Sequence, residues 1–285
     1  MAAGPVTTGL IGLPIAHSLS PALHHAAFRA CGLPDNYALW PTEADQLPAR
    51  VSALRQPPMR GANVTIPHKS AALALVDALD PVAQAIGAVN TIVRQADGSL
   101  LGLNTDSAGF VAALQQADFD PSGRNIVLLG AGGAARAVAH GLIAHGARCL
   151  TVVNRTAEHA ESLLADLLAA TPYDPDLFIL APNDPDLPDL LRVANLLVNA
   201  TPVGRDDRSL PLPPTMLHAQ LLVCDLLYRS TPLLRAAQAA GAHTQDGLEM
   251  LVQQATLAFT AWTGYAAPVD VMRAAGEQAR ATAHS

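Results

Sequence analysis

Charge is scarce in this chain: 14% of its 285 residues are charged, against 50% that are hydrophobic. Disordered tails and solvating linkers have the opposite balance, so the composition is that of a globular chain that buries a core. No block of like charge occurs, and 17 basic against 24 acidic residues leave a net charge of −7. That disfavours a surface tracking nucleic-acid phosphates, and a phosphate-bearing ligand would need a local site. Cysteine is sparse too. Cys31, Cys149 and Cys224 are far apart and odd in number, which argues against a disulfide framework and fits a reducing cytoplasm. No apolar run approaches the roughly 20 residues that span a bilayer. The opening MAAGPVTTGLIG lacks the cationic and apolar segments of a secretory leader, so a cytoplasmic protein without a membrane partner is expected. Scarcest of all is lysine: of the 17 basic residues only Lys69 is one. A guanidinium keeps its proton, whereas an ammonium on a flexible stem can exchange one, so the single lysine is a candidate for proton chemistry.

The length accommodates one large domain or two ordinary ones. Short β-rich apolar runs alternate with helical patterns, which predicts an α/β fold with parallel sheets. Strands are predicted over Thr8–Gly12, Tyr37–Trp40 and Asn63–Thr65, and helices over Pro21–Ala30 and Lys69–Ala78. Ala88–Arg94 and Leu100–Leu103 read as a hairpin around the turn residues Ala96, Asp97 and Gly98. Further strands are predicted at Ile126–Leu129, Leu150–Val153, Leu177–Leu180, Asn195–Val198 and Leu221–Cys224, with a helix over Ala134–Ala144. The stretch TPYDPDLFILAPNDPDLPDL reads as surface connections around one strand, and helices over Asp246–Trp262 and Pro268–Arg280 close the chain.

In NIVLLGAGGAARAVAHGL, Gly130, Gly132 and Ala135 fit G-x-G-x-x-G/A directly after a strand and at the start of a helix. Gly130 permits the tight turn, Gly132 lets backbone N–H groups approach a pyrophosphate, and Ala135 lets helix and strand pack closely. After the next strand, an acidic residue would bind the ribose 2′-hydroxyl of NAD, but the chain has Asn154, Arg155 and Thr156. A planar guanidinium with polar neighbours suits the 2′-phosphate of NADP; the alternative is a helix capped by Thr156 with Arg155 solvated. A second constellation surrounds Lys69. Asn63, Thr65, Asn90, Asn104 and Asp106 all fall at ends of apolar strands, where open α/β folds bind ligands. Taken singly, Asn90 and Asn104 also suit turns and Asp106 a helix cap. The ten histidines show no recognisable metal-ligand spacing, so no metal is expected.

These segments together resemble the shikimate dehydrogenase family over nearly the whole chain: GLPIAHSLSPALH, NVTIPHK, NTDSAGF, GAGGAARA, NATPVG and MLVQQA occur in the family's order. The resemblance implies a Rossmann-type NADP-binding domain (107–242) inserted in an α/β substrate-binding domain (1–106 and 243–285), with the active site in the cleft between them. It implies reversible NADPH-dependent reduction of 3-dehydroshikimate to shikimate, on the route to chorismate and aromatic amino acids, by a monomer or homodimer. Lys69 and Asp106 would be the catalytic pair. Ser18 and Ser20 would hold the substrate carboxylate with Tyr228 nearby, and Asn63, Thr65, Asn90, Asp106 and Gln254 would hold its ring hydroxyls. Gly130, Ala131, Gly132, Gly133 and Ala134, with Asn154, Arg155 and Thr156, would bind the cofactor, and Asn199, Ala200, Thr201 and Gly247 complete its site. Without the family, Ser18 and Ser20 read as helix caps and Gln254 as an exposed helix residue.

The chain departs from the family at four points. His25 and Glu249 replace the usual asparagine and glycine, the stretch from Tyr228 to Thr231 is short, and His159 stands where a second basic residue often joins the NADP clamp. These leave two rivals in view: a quinate/shikimate dehydrogenase that uses NAD or both cofactors, and a dinucleotide-binding regulator without turnover.

Overall fold

The computed structural model describes residues 8–34, 37–168 and 175–283. The expected surface connection at 171–174 and the opening segment 1–7 lie outside the described residues. The chain divides into two compact units: residues up to Gly109 together with those from Leu251 on, and Phe110–Met250 between them in sequence.

The first unit contains β1 (Thr8–Gly12), α1 (Ser20–Ala30), β2 (Tyr37–Pro41), α2 (Leu47–Ala53), β3 (Gly61–Val64), β4 (Ala78–Leu79), α3 (Pro81–Ile86), β5 (Thr91–Arg94), β6 (Leu100–Leu103) and the start of α4 (Asp106–Gln116). Its sheet has the order β2-β1-β3-β5-β6-β4. β1 runs parallel to β2 and β3, while β5 is antiparallel to both β3 and β6. The start of β5 therefore lies at the same edge of the sheet as the ends of β1, β3 and β6. One face packs Ile11, Val64, Ile92 and Leu100 against Leu47, Val51 and Leu54 from α2 and its C-terminal neighbour. Phe28 of α1 meets Phe259 edge-on at 5.2 Å, and Trp262 Nε1 donates to the Ile92 carbonyl at 3.0 Å. Both partners belong to α9 (Leu248–Thr263), which with α10 (Val269–Ala283) closes the chain.

The second unit continues with β7 (Asn125–Leu129), α5 (Gly133–Ala144), β8 (Cys149–Val153), α6 (Ala157–Leu168), β9 (Asp176–Leu180), α7 (Leu187–Arg192), β10 (Leu196–Asn199), β11 (Leu222–Asp225), α8 (Pro232–Ala239) and β12 (His243–Gln245). Its strands are all parallel, in the order β12-β11-β10-β7-β8-β9. This is the doubly wound order in which connections leave the central pair β7 and β10 in opposite directions. Strand alternation shares β7 between two cores: Ile126 and Leu128 pack with Val138 and Leu142 of α5, whereas Val127 and Leu129 pack with Leu191 of α7 and Leu233 of α8.

Two sequence expectations and one alternative reading change. The helix expected over Lys69–Ala78 is a 3₁₀ turn over Ala71–Leu75, after which Val76 is extended. The sheet edge recruits the backbone there, since the Asp77 and Asp80 N–H groups donate to the Leu100 and Gly102 carbonyls at 2.9 and 3.0 Å. Pro81 also disfavours helical geometry at Asp80, which instead caps α3 by accepting the Ala83 N–H at 2.7 Å. Secondly, β12 is a strand that the sequence pattern did not reveal. It pairs with β11, and residues 243–250, including the first turn of α9, group with the second unit, so the boundary falls inside α9 and not at 243. Thirdly, Ser18 and Ser20 do not cap α1: its N-cap is Leu19, and no side chain caps it.

His24, on α1, is fully buried, stacked on Tyr37 at 4.3 Å with Trp262 at 5.2 Å, and neither ring nitrogen has a hydrogen-bond partner. Burial outweighs the opposing influence of Asn63 and holds its pKa down at about 3, so the folded ring is neutral at pH 7. An unfolded histidine takes up a proton near pH 6.5. Between those values the unfolded state binds the extra proton, so stability falls as pH falls. Below pH 6.5 the loss steepens to about 1.4 kcal/mol per pH unit between roughly pH 5.5 and 4. Urea unfolding across that range should give a flatter acid limb for His24→Leu than for wild type, and parallel curves would refute the buried neutral ring.

Candidate active site and dinucleotide loop

In the first unit, four chain segments meet at one edge of the sheet. After β1, Ser18 Oγ lies 3.1 Å from Ser20 Oγ and accepts the Ser20 N–H at 3.2 Å, so the two hydroxyls form a pair beside the start of α1. The Leu13 N–H donates to the Ile66 carbonyl at 3.0 Å, tying this loop to the one after β3. At the end of β3, Asn63 is buried, Thr65 donates its N–H to the Ile11 carbonyl at 2.9 Å, and the chain turns into Lys69. The Lys69 carbonyl accepts the Val89 N–H at 2.9 Å, and next to it the buried His68 ring lies 2.7 Å from the Thr42 carbonyl. The lysine is thus held from both sides.

Lys69 Nζ donates to Asp106 Oδ2 at 2.5 Å, and Asn90 Nδ2 donates to Asp106 Oδ1 at 2.8 Å. The side chains of Lys69 and Asp106 are 16% and 8% exposed, so the pair is shielded yet reachable at the ammonium. Asp106 opens α4 but turns its carboxylate to these donors and is no simple cap. Asn104 does what its turn reading predicts, accepting the Asp106 N–H at 3.1 Å and donating to the Ala88 carbonyl at 2.8 Å. Asn90 Oδ1 accepts the Thr105 N–H at 2.8 Å. Gln254 is buried on α9, and its Nε2 turns back to the Leu251 carbonyl at 2.8 Å.

The second unit carries its loop at the switch point between β7 and β10. Gly130 has φ +105°, and its N–H donates to the Val153 carbonyl at 2.8 Å. A Cβ there would lie 3.1 Å from Thr201 and 3.3 Å from the Ala200 carbonyl oxygen. Gly132, the N-cap of α5, is extended, and a Cβ on it would meet nothing within 4 Å. This is the open backbone that a dinucleotide's pyrophosphate needs, with Ala131, Gly133 and Ala134 around it and the buried Ala135 packing α5 on the sheet. Beyond β8, Asn154 Nδ2 donates to the Thr156 carbonyl at 2.8 Å, and Arg155, Thr156 and His159 are exposed. The residues present therefore fit a dinucleotide.

At the end of β10, Asn199 Oδ1 accepts from Thr201 N and Oγ1 at 3.1 and 2.6 Å, and its Nδ2 donates to Val203 O and Asp225 Oδ2, both at 3.1 Å. Asp225 is buried, and desolvation raises its pKa against the donors Asn199, Leu227 N–H and Thr231. The short stretch after β11 is braced by Arg229, which donates to the carbonyls of Gly204 and Arg205. Tyr228 there is half-buried, and burial raises its phenol pKa. Gly247 packs so tightly on the same stretch that a Cβ would collide with the Leu226 carbonyl. Sequence reasoning missed Thr105, His68, Asp225 and Arg229. The first two adjoin motif residues, but hydroxyl and imidazole partners are set by strands far apart in sequence. Among the described residues no cluster suits a metal ion, and no helix is long and apolar enough to cross a membrane.

Three family models match: the shikimate dehydrogenase substrate binding domain over residues 10–92, shikimate/quinate 5-dehydrogenase over 112–201, and the shikimate 5′-dehydrogenase C-terminal domain over 247–275. The chain is 44% identical over 271 residues to a shikimate dehydrogenase (NADP(+)) of Desulforamulus reducens, covering 93% of this chain and 92% of that one. The enzyme of that name from Methanopyrus kandleri is also 44% identical, with 94% and 93% covered. Among solved structures, shikimate 5-dehydrogenase from Thermus thermophilus, in complex with NADP(H) and shikimate, is 39% identical with a TM-score of 0.86, covering 96% of this chain and 99% of its own. Quinate dehydrogenase from Corynebacterium glutamicum, in complex with NAD, is 31% identical with a TM-score of 0.89 and the same coverages.

The two glycines of the loop make opposite predictions. Gly130→Ala places a side chain at positive φ against Thr201 and should cost about 1–3 kcal/mol of stability. Gly132→Ala should leave stability unchanged or slightly higher while weakening dinucleotide binding, because its Cβ enters only the open approach. Thermal unfolding with NADP titration separates them, and unchanged NADP affinity in Gly132→Ala would contradict the assignment of the loop.

Proposed function

The chain belongs to the shikimate dehydrogenase family, and within it we propose that the protein reduces 3-dehydroshikimate to shikimate reversibly with NADPH, with Lys69 and Asp106 as its proton-handling pair. The observation that carries this reading is the 2.5 Å contact from Lys69 Nζ to Asp106 Oδ2, set among buried amides and hydroxyls at the end of the first sheet. Asp106 holds the ammonium in place, and Asn90 in turn holds Asp106.

When bound, the cofactor supplies hydride. Lys69 Nζ gives a proton to the ketone oxygen during reduction and takes it back during oxidation. Asn63, Thr65, Asn90 and Gln254 orient the ring through its hydroxyls, while Ser18 and Ser20, with their hydroxyls paired, hold the carboxylate away from the reacting carbon. Gly130 to Ala134 receive the pyrophosphate at the head of α5, with Asn199, Ala200, Thr201 and Gly247 completing the cofactor site. Arg155, with Asn154 and Thr156, pairs with the 2′-phosphate. With His159 in place of a second guanidinium, the preference for NADP is less strict than two arginines would give.

The test is shikimate-dependent formation of NADPH, read beside quinate and beside NAD. Wild type should favour shikimate with NADP. Lys69→Ala should lower turnover by roughly 10² to 10⁴ with less change in shikimate binding, and Lys69→Arg should fail nearly as badly. Near-normal activity in either variant contradicts the proton role. Preference for quinate with NAD would move the protein to the activity named for the Corynebacterium relative, and shikimate binding without turnover would make it a regulator.

A further inference from the structure

Thr91, the first residue of β5, is fully buried, and its hydroxyl lies between two amides of the site. It is 3.1 Å from Asn63 Nδ2 and 3.0 Å from Asn90 Oδ1, with Thr105 Oγ1 farther off at 3.3 Å. The direction of each bond follows from the charge at the end of the row. A carboxylate offers only lone pairs, so Asp106 Oδ1 must take its bond from Asn90 Nδ2. Asn90 Oδ1 then faces Thr91 and the Thr105 N–H. Thr91 has a single proton. Spent on Asn90 Oδ1, it leaves only lone pairs to receive Asn63 Nδ2. Asn63 is thereby turned so that its Oδ1 accepts the Tyr37 hydroxyl at 2.8 Å, while the second Nδ2 proton points to the Asn90 carbonyl at 3.4 Å. The row Tyr37, Asn63, Thr91, Asn90, Asp106 donates in one direction throughout.

We infer that Thr91 is a positioning residue whose one hydroxyl proton carries the orientation imposed by the Asp106 charge from Asn90 to Asn63. Both Nδ2 protons of Asn63 are committed within the protein, so it presents the remaining lone pair of Oδ1 to a ligand. The amide is then selective for a hydroxyl that donates, and a carbonyl at that place is rejected. The inference rests on the proposed function in taking that ligand to be the ring of shikimate.

Thr91→Val keeps the shape and β-branching of the residue but removes the proton, whereas Thr91→Ser keeps the hydroxyl. The Val variant should raise KM for shikimate roughly three- to tenfold and lower kcat, leave KM for NADP unchanged, and be rescued by Ser. In an Asn90→Ala background, Thr91→Val should add much less than it does alone. Wild-type kinetics in Thr91→Val, equal damage from Ser, or additivity with Asn90→Ala would each overturn the inference. The double-mutant cycle of Thr91→Val with Asn63→Ala, read by urea unfolding, needs no substrate. Coupling there supports the row even if wild type fails to oxidise shikimate, which would refute the proposed function alone, and additivity overturns the row.

Discussion

A carboxylate has no proton to give, and at Asp106 this constraint orders a whole wall of the first unit. Shielded from water, it must be met by donors, and it finds the chain's one lysine on one oxygen and an asparagine amide on the other. Those donors come from loops after β3 and before β5, and the carboxylate itself comes from the residue after Thr105. Only because β5 runs against its neighbours do these three places share an edge. The antiparallel strand in a mostly parallel sheet is thus part of the site's construction. It brings an asparagine and a threonine to the edge where the parallel strands finish.

The second unit solves a different problem with the same economy of means. A phosphate-bearing ligand needs bare backbone, and the loop after β7 supplies it where the sheet's connections diverge. Gly130 is needed for its positive φ and Gly132 for its open side. The neighbouring loop is shaped by buried Asp225, which gathers Asn199 and Thr231 and so fixes the start of the Asn199–Thr201 turn. Arg229 then braces the stretch after β11 through the backbone carbonyls of Gly204 and Arg205.

Much of this was legible in the sequence where a local rule sufficed. The five residues of β1 coincide with the expected strand Thr8–Gly12 and are all buried, and the glycine loop follows from spacing that backbone geometry dictates. Lys69 stood out as the single lysine among 17 basic residues. The failures have a common cause in partners supplied from a distance. Helical propensity over Lys69–Ala78 lost to carbonyls on β6, and three residues at His243–Gln245 became a strand because β11 offered an edge. For the serines after β1 the outcome is local: the alternative of helix caps falls away and their hydroxyls pair with each other. Thr91 carried no signal at all, since its importance lies in which way one proton points.

The central claim is that the charge on Asp106 organises the substrate wall and leaves the dinucleotide loop alone. Calorimetric titration of Asp106→Asn with shikimate and, separately, with NADP tests it most directly. The neutral amide nearly preserves shape but keeps only one acceptor oxygen and turns the other position into a donor, so it cannot accept from both Lys69 and Asn90. Shikimate affinity should weaken by about tenfold or more, with NADP affinity unchanged. Wild-type affinity for shikimate in that variant would contradict the claim.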